Sequence, residues 1–109
     1  AGAFPTWLAP TQVSIVPISN EKHADFAEQV YKKMRAAGIR VKLDDRSESM
    51  NYKIRESLQD KKIPYVCVIG DKEIEAGAVA VRKRGVGQVG TKSVDEFISE
   101  IEKEIKDRV

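Results

Sequence analysis

Over the first two thirds of the chain, segments with the apolar spacing of a strand alternate with segments with the apolar spacing of a helix. Apolar runs predict strands at residues 12–18 and 39–43, and a continuous β-branched run predicts a buried strand at 65–69. Apolar residues spaced by three and four predict a helix over 20–37 and a second helix that ends before Pro64. Strands that alternate with helices in this way indicate right-handed crossovers and parallel pairing.

Capping residues mark the ends of the predicted helices. Asn20 is placed to cap the first helix, and Gly38 supplies a left-handed stop after it. Ser47 or Ser49 can cap the second helix, and Ser93 opens a capping box for the last one. The last helix carries an apolar stripe of Val94, Phe97, Ile98, Ile101 and Ile105.

The segment between the buried strand and the last helix predicts the rest of the sheet. Residues 72–75 and 79–82 indicate an antiparallel hairpin that turns at Ala76–Gly77, and the basic stretch Arg82–Gly87 is interpreted as a loop leaving it. The predicted fold is therefore α/β and three-layered. Its mixed five-stranded sheet has three parallel strands and an antiparallel hairpin, and three helices cover the sheet.

Composition narrows the class of protein but does not identify a ligand. The chain has 109 residues, 41% of them hydrophobic and 33% charged, as expected of one globular domain. Its longest apolar stretch, around residues 66–69, is too short to span a bilayer. The single cysteine, Cys67, predicts a small buried hydrophobe and a cytosolic setting. A net charge of +2 is weak support for nucleic-acid binding, so the placement of charges must decide.

Signatures of catalysis are weak in this sequence. Phosphate-loop, nucleophile-elbow and paired-histidine motifs are all missing, and His23 is expected to be a solvated surface residue. Asp44–Asp45 offers too few oxygen ligands for Mg²⁺, and we expect Asp45 to pair with Arg46 instead. The segment 85–87 does not open a helix after a strand, so it is a poor phosphate loop. A nucleotide-binding enzyme of flavodoxin-like shape is accordingly the least favoured function.

Basic residues on the second helix, at its end and after residue 81 suggest one cationic surface. They are Lys53, Arg55, Lys61, Lys62, Arg82, Lys83 and Arg84. Arginine side chains can hold phosphates or base edges, and Glu73 could accept a hydrogen bond from a base amino group. Single-stranded RNA is read by such contacts to exposed base edges. Spacing alone leaves equally open that these residues form ordinary solvated faces.

Several motifs resemble those of one family in the same order along nearly the whole chain. They are Gly2–Pro10 (GAFPTWLAP), Ala37–Val41, Asp45–Arg46, Lys53–Glu56, Ile63–Tyr65, Val68–Glu73 and Val79–Arg82. The chain thereby resembles the C-terminal anticodon-binding domain of bacterial threonyl-tRNA synthetases, which are class II enzymes. The Phe-Pro-Thr-Trp-Leu-Ala-Pro run is specific to that family. The other motifs are shared with the prolyl, histidyl and glycyl relatives.

The resemblance implies a function, a set of contacts and a domain boundary. Residues 1–10 would lead in from an absent catalytic core. Residues 11–109 would form a cytoplasmic binding domain that is monomeric in isolation and has no catalytic or metal-ligating residues. Its partners would be the anticodon stem-loop of threonine tRNA and the catalytic core, which would hold the ATP, Mg²⁺ and Zn²⁺ of the parent ligase. The implied RNA contacts are Arg55, Lys62, Glu73 and Arg82, with Ser47 and Ser49 at two further contact positions.

Three departures from the family pattern fall on the implied RNA surface. Ser47 stands where members often have asparagine, and Ser49 where some have lysine. The segment 55–64 is one residue longer than expected, which predicts a rotated or bulged end of the second helix. These departures leave open an alternative, an engineered or redesigned structural module on this fold with reduced or no tRNA binding.

Overall fold

The described part of the chain folds into a mixed β-sheet with helices packed on both of its faces. The computed structural model describes residues 5–19, 21–46 and 48–107. The strands and helices are β1 (Val13–Pro17), α1 (Ala24–Ala36), β2 (Val41–Leu43), α2 (Met50–Arg55), β3 (Tyr65–Ile69), α3 (Asp71–Ala76), β4 (Ala78–Lys83), β5 (Gly87–Ser93) and α4 (Val94–Asp107). A 3-10 turn (Thr6–Leu8) precedes β1, and a π-helical turn (Glu56–Asp60) continues α2.

The sheet has the strand order β2-β1-β3-β4-β5. β1 pairs in parallel with both β2 and β3, as the alternation of strands and helices predicts. β4 pairs antiparallel with β3 and β5 antiparallel with β4. The predicted mixed five-stranded sheet is therefore confirmed, and the three parallel strands lie within two residues of their predicted ends.

Two hydrophobic cores lie on opposite faces of the sheet. On one face α1 and α4 cover the sheet, and the aromatic rings of Tyr65 and Phe97 meet edge to face with centroids 5.6 Å apart. On the other face Ile54 of α2 packs against Val16, Val66 and Val68. Every residue of β1 and β3 is buried, as expected of central parallel strands covered on both sides.

The predicted hairpin at residues 72–82 is wrong, because its first half is helix α3. Asp71 and Glu73 place negative charge in the first turn of this helix, and the Glu73 carboxylate accepts a 2.7 Å hydrogen bond from the Gly70 N–H. Gly77, with φ +63°, ends the helix in the left-handed conformation. The described residues consequently contain four α-helices instead of the predicted three.

The antiparallel hairpin consists of β4 and β5. The stretch Arg82–Gly87, interpreted from sequence as a loop, instead ends β4, turns, and begins β5. Gly85 and Gly87 have φ of +81° and +95°, which are conformations that glycine adopts without steric cost. A register irregularity between Val81 and Arg82 marks a bulge in this pair of strands.

The predicted capping positions are confirmed at Gly38, Ser49 and Ser93. Ser49 Oγ accepts from the Tyr52 N–H at 3.2 Å, and Ser93 Oγ accepts from the Glu96 N–H at 3.1 Å. Gly38 adopts φ +85° after the first helix. Asn20, the predicted cap of that helix, lies outside the described residues.

The prediction that His23 is a solvated residue is wrong. Its side chain is buried, and Nδ1 accepts a 3.0 Å hydrogen bond from the Ser19 N–H. Nε2 therefore carries the hydrogen and donates to Asp71 Oδ1 at 2.8 Å. This bond joins the loop before α1 to the start of α3, and it lowers the pKa of Asp71. Cys67, in contrast, is fully buried as predicted, and burial raises the pKa of its thiol.

The lead-in segment is held against the domain by side-chain hydrogen bonds. Thr6 Oγ1 donates to Glu104 Oε1 at 2.6 Å, and the Tyr65 hydroxyl donates to Glu104 Oε2 at 2.7 Å. Gln12 Nε2 donates to the Thr6 carbonyl at 3.0 Å. The described residues before β1 thus pack on the end of α4, although the boundary at residue 10 stays a prediction.

We expect Phe97→Ala to destabilise the chain by about 3–5 kcal/mol, because it opens a cavity in the larger core and removes the Tyr65 contact. Urea unfolding followed by circular dichroism measures this loss. Glu102→Ala, at an exposed position of the same helix, is the control and should stay within about 0.5 kcal/mol of the unsubstituted chain. Equal losses in the two variants would contradict the assignment of Phe97 to the core.

Candidate nucleic-acid interface

One face of the sheet is only partly covered by helix, and we call it the α2 face. It consists of α2, the π-helical turn, and the side chains of β4 and β5 that lie on the same side of the sheet. Arg82 is opposite Val66, a residue of the core beneath α2, so the Arg82 side chain belongs to this face. Its partner on β5 is Gln88, and β5 is largely exposed. The α2 face is therefore open to solvent beside the helix.

The predicted contact residues that the structure describes lie near opposite ends of β3. Lys62 precedes β3 and Arg82 pairs with the second residue of β3, so these two cations lie at the amino end of that strand. Ser49 begins α2 at the carboxyl end of the parallel strands, and Glu73 follows the carboxyl end of β3. β3 has five residues, so at about 3.3 Å per residue its two ends are roughly 13 Å apart. Arg55, at the last residue of α2, is exposed between them.

Two of the predicted contacts have structural roles that sequence spacing did not reveal. Glu73 lies in α3 instead of a hairpin, and its carboxylate caps that helix through Gly70. Ser49 Oγ caps α2 through Tyr52. Ser47 lies outside the described residues.

Two of the predicted surface cations lie elsewhere. Lys53 is buried, only 2% exposed, and its Nζ donates to the Asp44 carbonyl at 3.0 Å. Lys83 lies on the opposite face, with Nζ 5.6 Å from the centroid of the Tyr65 ring. Strand alternation explains Lys83, since neighbours along a strand point to opposite faces. Lys53 and Lys83 therefore do not belong to the cationic surface predicted from sequence.

Arg46 holds together the turn that leads into α2. Its guanidinium donates to both carboxylate oxygens of Asp44, at 2.8 and 2.9 Å, and to Glu56 Oε1 at 2.7 Å. The expected partner of Arg46 was Asp45, but the structure gives this forked pairing to Asp44. Glu56 was not predicted as a partner, because it lies ten residues away and only the fold brings the pair together. We call these three residues the Arg46 clamp.

The Arg46 clamp lowers the pKa of both of its carboxyl groups. Burial alone raises the pKa of Asp44, but the hydrogen bonds and charge of Arg46 outweigh it and hold that pKa below the ordinary 3.8. The hydrogen bond from Arg46 likewise lowers the pKa of Glu56 below 4.5. Asp44 is therefore engaged by a guanidinium. No group of three or more acidic, histidine or cysteine side chains suited to a metal ion occurs among the residues that the structure describes.

The end of the second helix is bulged, as the extra residue in segment 55–64 predicts. The Lys61 N–H donates to the Glu56 carbonyl at 2.9 Å, an i to i+5 hydrogen bond that defines a π-helical turn. Lys62 then adopts φ +53°, in the left-handed region. The Arg84 guanidinium donates to the Lys62 carbonyl, so the backbone at Lys62 is tied to the end of β4. Single π-turns of this kind are frequent at functional sites.

The chain matches one protein family along most of its length. The family model described as "Anticodon binding domain" matches residues 12–104. The chain is 52% identical to threonine–tRNA ligase of Carboxydothermus hydrogenoformans and 54% identical to that of Desulforamulus reducens. Each match covers 99% of this chain but only 17% of the relative, so the chain spans about a sixth of the length of these proteins.

Solved structures of aminoacyl-tRNA synthetases also match the chain. The RNA-binding domain of threonyl-tRNA synthetase from Cryptosporidium parvum Iowa II superposes with a TM-score of 0.86 and 32% identity, over 94% of this chain and 25% of that one. Prolyl-tRNA synthetase from Cryptosporidium parvum superposes with a TM-score of 0.83 and 28% identity, over 96% of this chain and 22% of that one. No helix in the described ranges is both long and apolar enough to cross a membrane.

We expect Arg46→Met to destabilise the chain at neutral pH, because it leaves the buried Asp44 carboxylate without its cation. Groups whose pKa is lowered by folding stabilise the folded state above their unfolded pKa, here 3.8 and 4.5, and lose this effect as the pH falls through the folded pKa. The difference from the unsubstituted chain should therefore be complete near pH 7 and shrink below about pH 4. Urea unfolding at several pH values measures it.

Arg35→Met is the matched control for this experiment. Arg35 lies on α1, where its guanidinium stacks on the ring of Tyr31. We expect a small loss of stability with little change between pH 7 and pH 3. A stability difference for Arg46→Met that is equally independent of pH would contradict the role given to the clamp.

We expect Lys62→Gly to stabilise the fold by up to about 1 kcal/mol. A left-handed conformation costs a non-glycine residue roughly 1–2 kcal/mol, while the extra unfolded-state entropy of glycine offsets about 0.4–1 kcal/mol of the gain. Lys61→Gly is the control, because Lys61 has an ordinary φ of −95° and gains nothing from glycine. Thermal and urea unfolding of both variants test this, and a lower stability for Lys62→Gly than for Lys61→Gly would contradict it.

Proposed function

We propose that this chain, which belongs to the family of anticodon-binding domains, binds the anticodon loop of a threonine tRNA through its α2 face. One observation carries the proposal: the exposed cations predicted as RNA contacts share a partly uncovered sheet face in a chain of this family. The domain contributes binding and no catalysis. Its specificity for threonine tRNA is supported by the identity of 52–54% to threonine–tRNA ligases.

The α2 face supplies two kinds of RNA contact in this proposal. Lys62, on the left-handed backbone after the π-helical turn, provides a point charge for a backbone phosphate. Arg82 projects from β4 and offers a planar fork for a base edge or a phosphate. Arg55 lies on the helix beside them and Ser49 caps the start of that helix, while Glu73 lies on α3 beyond the carboxyl end of β3. An extended single-stranded loop, with its bases turned outward, fits such a spread of contacts.

The small net charge of the chain agrees with a local binding surface. A net charge of +2 gives little long-range attraction, so affinity must come from the cations of the α2 face and must weaken steeply with salt. We expect a salt slope that corresponds to a few phosphate contacts. A redesigned module without RNA binding, the alternative left open by Ser47 and Ser49, predicts no saturable binding at any salt concentration.

We further propose that the chain acts as the tRNA-binding part of a longer threonine–tRNA ligase. The relatives that it matches are about six times as long. The ATP, Mg²⁺ and Zn²⁺ of that reaction would then belong to a catalytic core outside this sequence. A cytoplasmic location and a monomeric state of the domain by itself are part of the same proposal.

If the Arg82 guanidinium reads a base edge, we expect Arg82→Ala to reduce the difference in binding free energy between a matched and an exchanged anticodon by about 1–3 kcal/mol. Fluorescence titration at low salt compares a threonine anticodon stem-loop with a version whose anticodon is exchanged. Arg35→Ala, on the α1 side of the sheet, is the matched arginine control and should leave both affinities unchanged. If Arg82→Ala discriminates between the two stem-loops as well as the unsubstituted chain does, Arg82 does not read a base.

Lys62→Ala separates affinity from specificity. A lysine that contacts a phosphate should weaken binding of the matched and exchanged stem-loops by the same factor and reduce the salt slope by about one. The same titrations repeated over a range of salt concentrations measure both effects. A change in discrimination without a change in slope would assign Lys62 to a base instead.

A further inference from the structure

We propose that Tyr52 is a stacking platform for one unstacked base of the bound RNA loop. The inference rests on the proposed function and adds to it an aromatic residue that spacing and family motifs did not single out. Stacking on aromatic side chains is how proteins hold bases that are turned out of a loop. It works for every base, because each has a π-face, and it therefore adds affinity more than sequence preference.

The exposure of Tyr52 is the first observation. Five large hydrophobic side chains are well exposed among the described residues, namely Leu8, Ile18, Tyr52, Val86 and Val89. Tyr52 is the one aromatic member of this group, and 43% of its surface is exposed. A single exposed apolar side chain is common on protein surfaces, so the neighbours of Tyr52 decide whether it suits a ligand.

The position of Tyr52 on α2 is the second observation. It lies three residues after Ser49, the N-cap of the helix, and three residues before Arg55, so Tyr52 is a neighbour of both on the helix surface. Ser49 and Arg55 are both predicted RNA contacts. A base that meets the ring of Tyr52 would therefore lie between a hydroxyl at the start of the helix and a guanidinium at its end.

The ring of Tyr52 is also held in place before any ligand arrives. The Arg46 guanidinium carbon lies 6.0 Å from the ring centroid, and the Tyr52 hydroxyl donates to Glu56 Oε2 at 3.1 Å. Both partners belong to the Arg46 clamp, whose guanidinium is fixed by the buried Asp44. A side chain fixed in this way loses little entropy on binding, which favours affinity. With Arg46 in this position, 43% of the Tyr52 surface stays exposed.

A second tyrosine–arginine pair in the same chain serves as an internal comparison. On α1, the Arg35 guanidinium carbon lies 5.7 Å from the centroid of the Tyr31 ring and Nη1 donates to its hydroxyl at 2.9 Å. Tyr31, however, is half-buried and packs against the core on the other face of the sheet. The guanidinium-to-ring distances of the two pairs are similar, but of the two tyrosines only Tyr52 lies on the α2 face.

The experiment uses a threonine anticodon stem-loop in which each loop base is replaced in turn by the fluorescent analogue 2-aminopurine. The chain and its variants Tyr52→Phe, Tyr52→Leu, Tyr52→Ala and Tyr31→Ala are titrated at fixed low salt. We expect Tyr52→Ala and Tyr52→Leu to weaken binding roughly 5- to 140-fold, the range that corresponds to the loss of one stacked base. Quenching of one loop position should disappear in both. Tyr52→Phe and Tyr31→Ala should bind within about twofold of the unsubstituted chain and keep the quenching.

The variants separate the possible failures. Tyr52→Leu keeps an apolar side chain and has a higher helix propensity than tyrosine, so a normal melting curve together with lost quenching supports stacking over a folding defect. If the unsubstituted chain binds the stem-loop and Tyr52→Leu binds equally with unchanged quenching, stacking is refuted while the proposed function stands. A loss in Tyr52→Phe as large as in Tyr52→Ala would also overturn stacking and assign the effect to the hydroxyl. Failure of the unsubstituted chain to bind overturns both proposals.

Discussion

The burial of both central strands on their two faces is the constraint on which the rest of the structure depends. Every residue of β1 and β3 is buried, so the sheet requires helices on both sides. The crossovers between β1, β2 and β3 supply α1 to one side and α2 to the other. The additional helix α4 then joins α1, which leaves α2 and its π-helical turn alone on the second face.

This uneven division of the helices produces the candidate interface. Two helices cover the first face, whereas the second face has one short helix over β1 and β3 and an exposed strand, β5, beyond it. Arg82 occupies the open part of that face because it alternates with the buried Val81 along β4. The same architecture that buries the central strands thus exposes a polar strip beside α2.

Charged groups within the fold stabilise the elements that border this strip. The Arg46 clamp fixes the turn before α2, and the Lys53 ammonium donates to the carbonyl of Asp44 beneath it. The π-helical turn and the left-handed Lys62 form the other end of the helix, where the Arg84 guanidinium holds the backbone. A surface that is rigid at both ends of its helix suits recognition of a flexible loop, because the ordering cost then falls mainly on the RNA.

The sequence by itself determined the three parallel strands, three of the helices, their described caps and the bulge after Arg55, since these depend on residues a few positions apart. Tertiary structure decided the rest. Residues 72–75 form a helix, although they were expected to be a strand, because Gly70 and Gly77 set its ends and Ile74 packs into the core. His23 and Lys53 are buried since their partners, Asp71 and the Asp44 carbonyl, come from other elements. A charge pattern shows which residues are cationic, but only packing decides which of them face the solvent.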